Sequence, residues 1–282
     1  MSKAFPTDNP FLRGYFGPVN TEADAPNLPV TGEVPKTLCG TLYRNGPNPQ
    51  FAPRGPYHWF AGDGMIHAFR IENGRVAYRN RWVRTPKWEL EHAEGEGLPG
   101  SFEAAPLFPR PDGSPVTDHT PPARLFRWTF ELSRDPIAMR EEQLDDRVGE
   151  FPRFDERFCM APYRHGWIVS SNVTDPVRGT RIDEALTHYD LATGKATDWR
   201  GAPGDRFSEP VFVPRSPDAE EGDGWLLSVI FRAAETRSDL GILEARDIGK
   251  GPIALAHLSS RVPAGFHGNW VPSAGPAPAA AA

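Results

Sequence analysis

Cysteine is scarce in this chain, which has two, Cys39 and Cys159, among 282 residues. Two isolated thiols form neither a disulfide framework nor a thiolate metal site. Basic residues are also in the minority, because 31 Lys and Arg stand against 37 Asp and Glu, for a net charge of -6. The chain lacks the excess of positive charge that binds phosphate backbones, so we expect no nucleic-acid partner.

Long apolar runs are also missing from the sequence. The run from Trp225 to Ile230 is among the longest, and it falls far short of the ~20 residues that cross a bilayer as a helix. The first ten residues, MSKAFPTDNP, contain no apolar core of the kind found in a signal peptide. We therefore expect a soluble, cytoplasmic protein in a reducing compartment.

Proline and glycine, by contrast, are abundant, with 31 and 27 residues. Proline reaches roughly double its usual share of about 5%. Because proline interrupts helices and both residues favour turns, the composition predicts an all-β fold of many short strands. Strands are predicted within Leu38–Pro49 and at His58–Phe60, Met65–Glu72, Gly74–Val83, Arg124–Leu132, Gly166–Asn172, Ala185–Asp190, Val211–Pro214, Gly224–Phe231, Leu240–Arg246 and Ile253–Leu258.

The connections between these strands favour antiparallel units. Asn73-Gly74 separates two apolar segments and predicts a two-residue hairpin turn. Only Met139–Leu144 indicates a helix. Antiparallel strands at this spacing favour a β-propeller over a sandwich. At roughly 40–45 residues per blade, the residues that remain without the N-terminal arm, the connector and the C-terminal tail suffice for about five blades.

Five regions follow from the composition along the chain. Residues 1–37 are predicted to form an extended arm, and residues 38–94 a first-blade region. Residues 95–122 are rich in Pro, Gly, Asp and Thr, which is typical of a connector. Residues 123–273 are predicted to form the late blades, and residues 274–282 a disordered Ala/Pro tail.

Several sequence blocks resemble one known family when they are taken in order. They are NPFLRGYFGPV, LPVTGEVPKTLCGTLYRNGPNP, HWFAGDGMIHAFRIENGRVAYRNRWVRT, GEFPRFDERF, FSEPVFVPR, DGWLLSVIF and RVPAGFHGNW. Together they are similar to the carotenoid cleavage oxygenases, which include retinal-forming, apocarotenoid-forming and lignostilbene-cleaving enzymes. The resemblance runs from about residue 9 to residue 273, apart from the connector.

The resemblance implies a fold, a metal and a reaction. The family has a seven-bladed propeller with one non-haem Fe(II) on its axis, held by four histidines, and it cleaves a conjugated C=C bond with O2. Neutral imidazoles suit ferrous iron, and a carboxylate behind a histidine fixes its tautomer. By resemblance His267, in FHGNW, matches the last iron ligand. Glu150, in GEFPRFD, and Glu209, in SEPVFVP, match two of the supporting carboxylates.

The chain departs from the family between Trp88 and Ala123. There the family has a long central region with the other three ligand histidines, and none of their motifs occurs here. The resemblance therefore implies an incomplete propeller of about four to five blades. One imidazole supplies on the order of 3–4 kcal/mol, which corresponds to a dissociation constant near ~1 mM or weaker. We expect weak or absent Fe(II) binding by this chain alone.

The remaining histidines are not predicted to bind metal. His67, in GDGMIH, is interpreted as a structural strand residue, His165 as a hairpin-turn residue, and His257 as a packed or exposed strand residue. The others, which lack ligand-like surroundings, are His58, His92, His119 and His188.

Two functional hypotheses follow. The first is an Fe(II)-dependent dioxygenase that uses O2 to cleave a carotenoid, apocarotenoid or stilbene-like substrate. The second is a non-catalytic, truncated propeller that binds an apolar ligand or a partner chain, with self-association favoured by open sheet edges. A serine hydrolase is disfavoured because the sequence has no G-x-S-x-G elbow.

Overall fold

The computed structural model describes residues 4–55, 57, 59–98, 123–171 and 184–273. Within these ranges the chain forms seventeen strands, one α-helix and five short 3₁₀ helices. The strands are β1 (Ala23–Ala25), β2 (Val30–Gly32), β3 (Gly40–Pro47), β4 (Gly64–Glu72), β5 (Arg75–Trp82), β6 (Phe126–Glu131), β7 (Ala138–Gln143), β8 (Val148–Phe154), β9 (His165–Ser171), β10 (Ala185–Asp190), β11 (Lys195–Arg200), β12 (Arg206–Phe207), β13 (Val211–Pro214), β14 (Gly224–Arg232), β15 (Arg237–Glu244), β16 (Pro252–His257) and β17 (Gly268–Pro272). The α-helix, α1, spans Pro86–Glu94, and the 3₁₀ helices are Pro10–Leu12, Gly14–Phe16, Trp59–Ala61, Glu156–Phe158 and Ile248–Lys250.

The strands form three larger antiparallel sheets and one two-stranded hairpin. Sheet I has the order β1-β5-β4-β3-β17. Sheet II has the order β12-β14-β15-β16-β2, and β13 also pairs with β14. Sheet III has the order β11-β10-β9-β8, while β6 and β7 pair only with each other within the described part of the chain. Each of the three larger sheets has at least four strands, as expected for the antiparallel units that the sequence predicts.

Sheet II lies between the other two sheets. Along β14, Leu227 and Val229 join a core cluster that contains Phe69 of sheet I. The alternate residues Leu226 and Ile230 join a second cluster, with residues of sheet III. Because both faces of β14 are covered, this strand is a continuous apolar run rather than an alternating one. Each large side chain buried in these clusters stabilises the fold by roughly 1.5–3 kcal/mol.

The N-terminal segment contributes an edge strand to each of two sheets. Strand β1 pairs with β5 in sheet I, and β2 pairs with β16 in sheet II. At the other end of the chain, β17 pairs with β3. Both edges of sheet I and one edge of sheet II are therefore formed by short strands from segments remote in sequence, and short edge strands offer little for another chain to pair with.

Replacing Gly32 with alanine should detach β2 from sheet II. Gly32 has φ 84°, and a Cβ atom there would lie 2.2 Å from the carbonyl oxygen of Ile253. We expect a loss of at least ~2 kcal/mol in the free energy of unfolding, measured by urea denaturation. Gly194→Ala is the matched control, since Gly194 also has a positive φ of 68° but nothing within 4 Å of its Cβ position. It should lose only about 1 kcal/mol, and equal losses in the two variants would contradict the proposed clash.

The predicted Asn73-Gly74 hairpin is confirmed. It joins β4 to β5, and both turn residues have positive φ, 52° and 76°. The helix predicted at Met139–Leu144 is wrong, because all of these residues except Leu144 lie in β7. Cross-strand pairing with β6 overrides the helical preference of Met, Arg, Glu and Gln.

Two other elements differ from the sequence expectation. Residues Trp59–Ala61 form a 3₁₀ helix rather than the predicted strand, and the Trp59 ring packs 4.8 Å from that of Phe266. Helix α1 was not predicted, although its signals are present. The Thr85 hydroxyl caps it, Pro86 occupies its first turn, and Gly95 ends it in the left-handed region.

Residues 99–122 and 274–282, which hold most of the predicted connector and the predicted tail, lie outside the described residues. In the described part of the chain, no helix is long and apolar enough to cross a membrane.

Candidate metal centre

Three strands meet where the predicted site residues lie. Strand β17 follows His267 and forms one edge of sheet I, and β8 carries Glu150 at one edge of sheet III. Glu209 lies between β12 and β13 of sheet II, and β13 contacts both β8 and β17. The fold thus brings one predicted residue from each sheet to a common region.

Glu209 and His267 form a direct pair. The His267 Nδ1 atom lies 3.0 Å from Glu209 Oε1, and the backbone N–H of Gly268 donates to Glu209 Oε2 over 2.7 Å. Glu209 is buried, whereas the side chain of His267 is 76% exposed. An ionised carboxylate accepts hydrogen bonds only, so the Nδ1 proton is directed at Glu209 and Nε2 presents its lone pair outward.

Arg153 of β8 also contacts the carboxylate of Glu209. Its Nη1 atom lies 3.3 Å from Glu209 Oε1 and donates to the carbonyl oxygen of Gly268 over 3.1 Å. Its Nη2 atom lies 2.6 Å from Glu156 Oε1. A buried charge needs partners of this kind. Arg153 lies in the GEFPRFD block, but nothing in the sequence marks it as a partner of Glu209.

Close backbone approach explains the glycines around His267. A Cβ atom on Gly268 would lie 2.8 Å from the carbonyl oxygen of Tyr43, and one on Gly265 would lie 2.7 Å from that of Asn45. The carbonyl of His267 accepts from the backbone N–H of Asn45 over 3.1 Å. The glycines therefore let β3 pack against this segment, which sets the position of the imidazole.

Glu150 lies on the edge strand β8, opposite Val169, and is exposed. The strand is irregular between Glu150 and Arg153, and Phe151 has a φ of 55°. This irregularity turns the Phe151 ring edge-on to His267, with the ring centroids 5.7 Å apart. The role of Glu150 as support for a second histidine stays a prediction.

An open cleft of about 360 Å³ lies beside His267, and Arg44 and Arg153 line it. Arg44 is 3% exposed, and its Nε and Nη2 atoms have no hydrogen-bond partner among the described residues. Burial lowers the pKa of Arg44. The sequence did not identify Arg44 as a buried cation, because an arginine in a strand is ordinarily interpreted as a surface residue.

His67 is opposite Arg44 in the β3–β4 register and has the structural environment expected of it. It is buried, and its Nδ1 atom lies 2.8 Å from the hydroxyl of Tyr78. Burial and, secondarily, the charge of Arg44 lower the pKa of His67 to about 3. His67 is therefore neutral over the physiological range.

The interpretation of His165 as a turn residue is wrong. His165 begins β9, is buried, and its Nδ1 atom lies 3.0 Å from Nε2 of His188 on β10. A Cβ atom on Gly222 would lie 2.7 Å from the His165 ring. Packing by a distant loop therefore places this histidine in the interior. His257 has a packed environment, with its ring nitrogens 2.7 Å from Asp239 Oδ1 and 2.8 Å from Thr31 Oγ1.

The residues described by the structure do not form a complete Fe(II) centre. No group of three or more His, Cys, Asp or Glu side chains within the described ranges could hold a metal ion. His267 offers one imidazole, and the carboxylate of Glu209 contacts it. His58 and His119 lie outside the described residues.

Comparison with known proteins identifies relatives. The chain matches the family model described as retinal pigment epithelial membrane protein over residues 16–117 and 98–272. It is 34% identical to lignostilbene-alpha,beta-dioxygenase isozyme III of Sphingomonas paucimobilis, over 77% of this chain and 45% of that protein. It is 33% identical to isoeugenol monooxygenase of Pseudomonas nitroreducens, over 68% of this chain and 40% of that protein. The chain thus spans about half the length of the curated relatives it matches.

The fold is shared with solved structures. The lignostilbene dioxygenase of Pseudomonas brassicacearum aligns with a TM-score of 0.84 and 20% identity, covering 96% of this chain and 100% of that one. This likeness confirms the predicted fold class, an all-β chain of the carotenoid oxygenase propeller type. The matched family model, together with the ordered blocks of sequence, shows that this chain belongs to the retinal pigment epithelial membrane protein family, that of the carotenoid oxygenases.

Proposed function

We propose that this chain contributes His267 as a metal ligand, and Glu209 as its supporting carboxylate, to an Fe(II) centre that cleaves a conjugated C=C bond with O2. The observation that carries the proposal is the contact between Glu209 and the Nδ1 atom of His267, 3.0 Å long and anchored by the N–H of Gly268. Ligating histidines ordinarily donate their second N–H to a carboxylate in this way.

The proposed substrate is an apolar polyene or stilbene-like molecule. The names of the relatives support it, since they refer to lignostilbene, isoeugenol and carotenoid cleavage. A related solved protein, the Synechocystis ACO, is described as cobalt-substituted, which supports a metal-dependent centre. This chain spans about half the length of its curated relatives. A complete enzymatic activity is therefore a proposal for this chain and does not follow from the relatives alone.

Within the described residues, the chain can prepare one ligand and no more. Glu209 fixes the imidazole tautomer, Arg153 keeps the carboxylate paired, and Gly268 holds its second oxygen. The other nitrogen donors must come from outside the described residues. A single imidazole binds a metal no tighter than about 1 mM.

The second candidate is a non-catalytic, truncated propeller that binds an apolar ligand or a partner chain. The incomplete donor set within the described residues favours it. It shares the fold with the first candidate and differs from it in predicting no turnover.

Cobalt(II) titration followed by NMR tests the ligand role of His267. We expect millimolar Co(II) to broaden the backbone signals of Gly268 and Asn269 first, because Co(II) is paramagnetic and binds imidazole. His267→Ala should abolish this broadening, and His257→Ala, a matched histidine control on β16, should preserve it. Broadening that survives His267→Ala would refute the proposed ligand.

A turnover assay separates the two candidates. The purified chain is saturated anaerobically with Fe(II), mixed with O2, and assayed with an apocarotenoid and with a hydroxystilbene. Bleaching that depends on His267 would show that residues outside the described ranges complete the centre. Metal binding at His267 without turnover would favour the non-catalytic candidate.

A further inference from the structure

The β6–β7 hairpin exposes an apolar face. We call this surface the hairpin face. It consists of three alternate residues of β6, Phe126, Trp128 and Phe130, together with Met139 of β7. Trp128 is 60% exposed and Phe130 is 52% exposed. Leu132, just beyond β6, is also exposed. Large aromatic side chains clustered on one exposed face are typical of an interaction surface.

The hairpin also has an unpaired edge. Strand β6 pairs with β7 on one side and with no other strand in the described part of the chain. A two-stranded hairpin is marginally stable in water, and a third strand or a packed face is needed to stabilise it. As far as the described residues go, the outer edge of β6 is free, and it therefore offers both the hydrogen-bonding groups and the apolar surface for an additional strand.

We propose that β6 pairs antiparallel with β6 of a second copy of this chain, about a two-fold axis through Thr129. Directly opposite residues in an antiparallel pair point to the same face, so the axis of a symmetric pair must pass through a residue. With the axis at Thr129, Trp128 lies opposite Phe130 of the second copy, and Phe126 lies opposite Leu132 of that copy. The aromatic side chains of the two β6 strands then lie side by side on one face, flanked by Met139 of each β7.

The charges of the opposite face select this register. Arg127 and Glu131 lie on that face, two residues on either side of Thr129. With the axis at Thr129, Arg127 of each copy is directly opposite Glu131 of the other, which stabilises a sheet pair. An axis at Arg127 would oppose two like charges, and an axis at Trp128 would place Arg127 opposite a threonine.

Strand β7 is the poorer edge for self-pairing. It carries three consecutive charged residues, Arg140, Glu141 and Glu142. An axis at any of the three would place that residue opposite its own copy, so that like charges would meet. Charged edge strands resist pairing in this way, whereas β6 places its apolar residues and its opposite charges in complementary positions.

Cysteine cross-linking tests the register. In a Cys39→Ser, Cys159→Ser background, Thr129→Cys would place two thiols on the proposed axis. Opposite Cα atoms in an antiparallel pair are about 4.5–5.5 Å apart, a separation that a disulfide spans. Arg140→Cys is the matched control, because Arg140 lies opposite Thr129 on the same face but on the other edge. After mild oxidation, we expect the covalent dimer to form at least about tenfold faster with Thr129→Cys.

Equal cross-linking of the two variants would overturn the proposed edge. A full-length chain that stays monomeric in light scattering as its concentration is raised would overturn the pairing itself. Neither result depends on metal binding or turnover, so this test stands apart from the proposed function.

Charge reversal supplies a second, independent test. Arg127→Glu or Glu131→Arg alone should weaken dimerisation at least about tenfold, measured as the dimer dissociation constant by analytical ultracentrifugation. The double variant restores opposite charges across the proposed axis and should recover the affinity of the original chain. Within one hairpin, Arg127 lies 3.6 Å from Glu142, a pair that the double variant does not restore. Recovery in the double variant would therefore come from the intermolecular pair, and single variants that dimerise as tightly as the original chain would contradict that pair.

Discussion

Replacing Glu209 with leucine should lower the free energy of unfolding by about 3–5 kcal/mol, although leucine is apolar and of similar size. Glu209 is buried, and it is the acceptor for the N–H of Gly268 and the partner of Arg153. Leucine would leave the N–H of Gly268 without its acceptor and would remove one of the two carboxylates that pair with the largely buried Arg153. Urea denaturation followed by tryptophan fluorescence measures the effect.

Two control variants isolate the cause. Glu209→Gln keeps a carbonyl oxygen and should cost only about 1–2 kcal/mol. Glu156 is the other carboxylate that pairs with Arg153, and the side chain of Glu156 is 61% exposed. Glu156→Leu should therefore lower the free energy of unfolding by under ~1 kcal/mol. If Glu209→Leu were as stable as Glu156→Leu, the buried pairing would not contribute as argued.

The protein should lose stability as the pH falls from about 6.5 toward 4. Burial lowers the pKa of His188 to about 4, with a further contribution from His165, and burial lowers the pKa of His67 to about 3. In the unfolded chain these imidazoles take up protons near pH 6.5. Below that pH the unfolded state binds more protons than the folded state, so each histidine removes about 1.4 kcal/mol per pH unit until its folded pKa is reached.

A single-histidine variant measures this dependence. The free energy of unfolding is determined at pH 7, 6 and 5 for the original chain and for His67→Gln. His67→Gln removes one titrating imidazole. It should therefore reduce the slope of the free energy of unfolding against pH by roughly 1.4 kcal/mol per pH unit. A stability that is constant from pH 7 to pH 5 would contradict the buried neutral histidines.

Local sequence signals accounted for some elements and not for others. Asn73-Gly74 specified its hairpin because both residues tolerate positive φ. Helix α1 also had local signals, namely Thr85, Pro86 and Gly95. It was not predicted because the abundance of proline and glycine favoured strands over helices. Strand β8 was missed because Gly149 and Pro152 interrupt it, and the irregularity there depends on pairing with β9.

The candidate site could be predicted only in part. His267 and Glu209 were identified by resemblance, and the structure places them in contact although 58 residues separate them. Arg153 and Arg44 were missed because their burial depends on neighbouring sheets. The inward position of His165 was missed for the same reason, since the loop that contains Gly222 covers it.

The sequence by itself determined the all-β class, several turns and the family, because these depend on composition, short-range turn chemistry and ordered blocks of residues. Tertiary structure alone decided which strand edges meet, which charged groups are buried, and that Glu209 contacts His267. The physical reason is that β-pairing and burial are non-local. They are set by the packing of sheets against one another, and neighbouring residues in the chain do not record that packing.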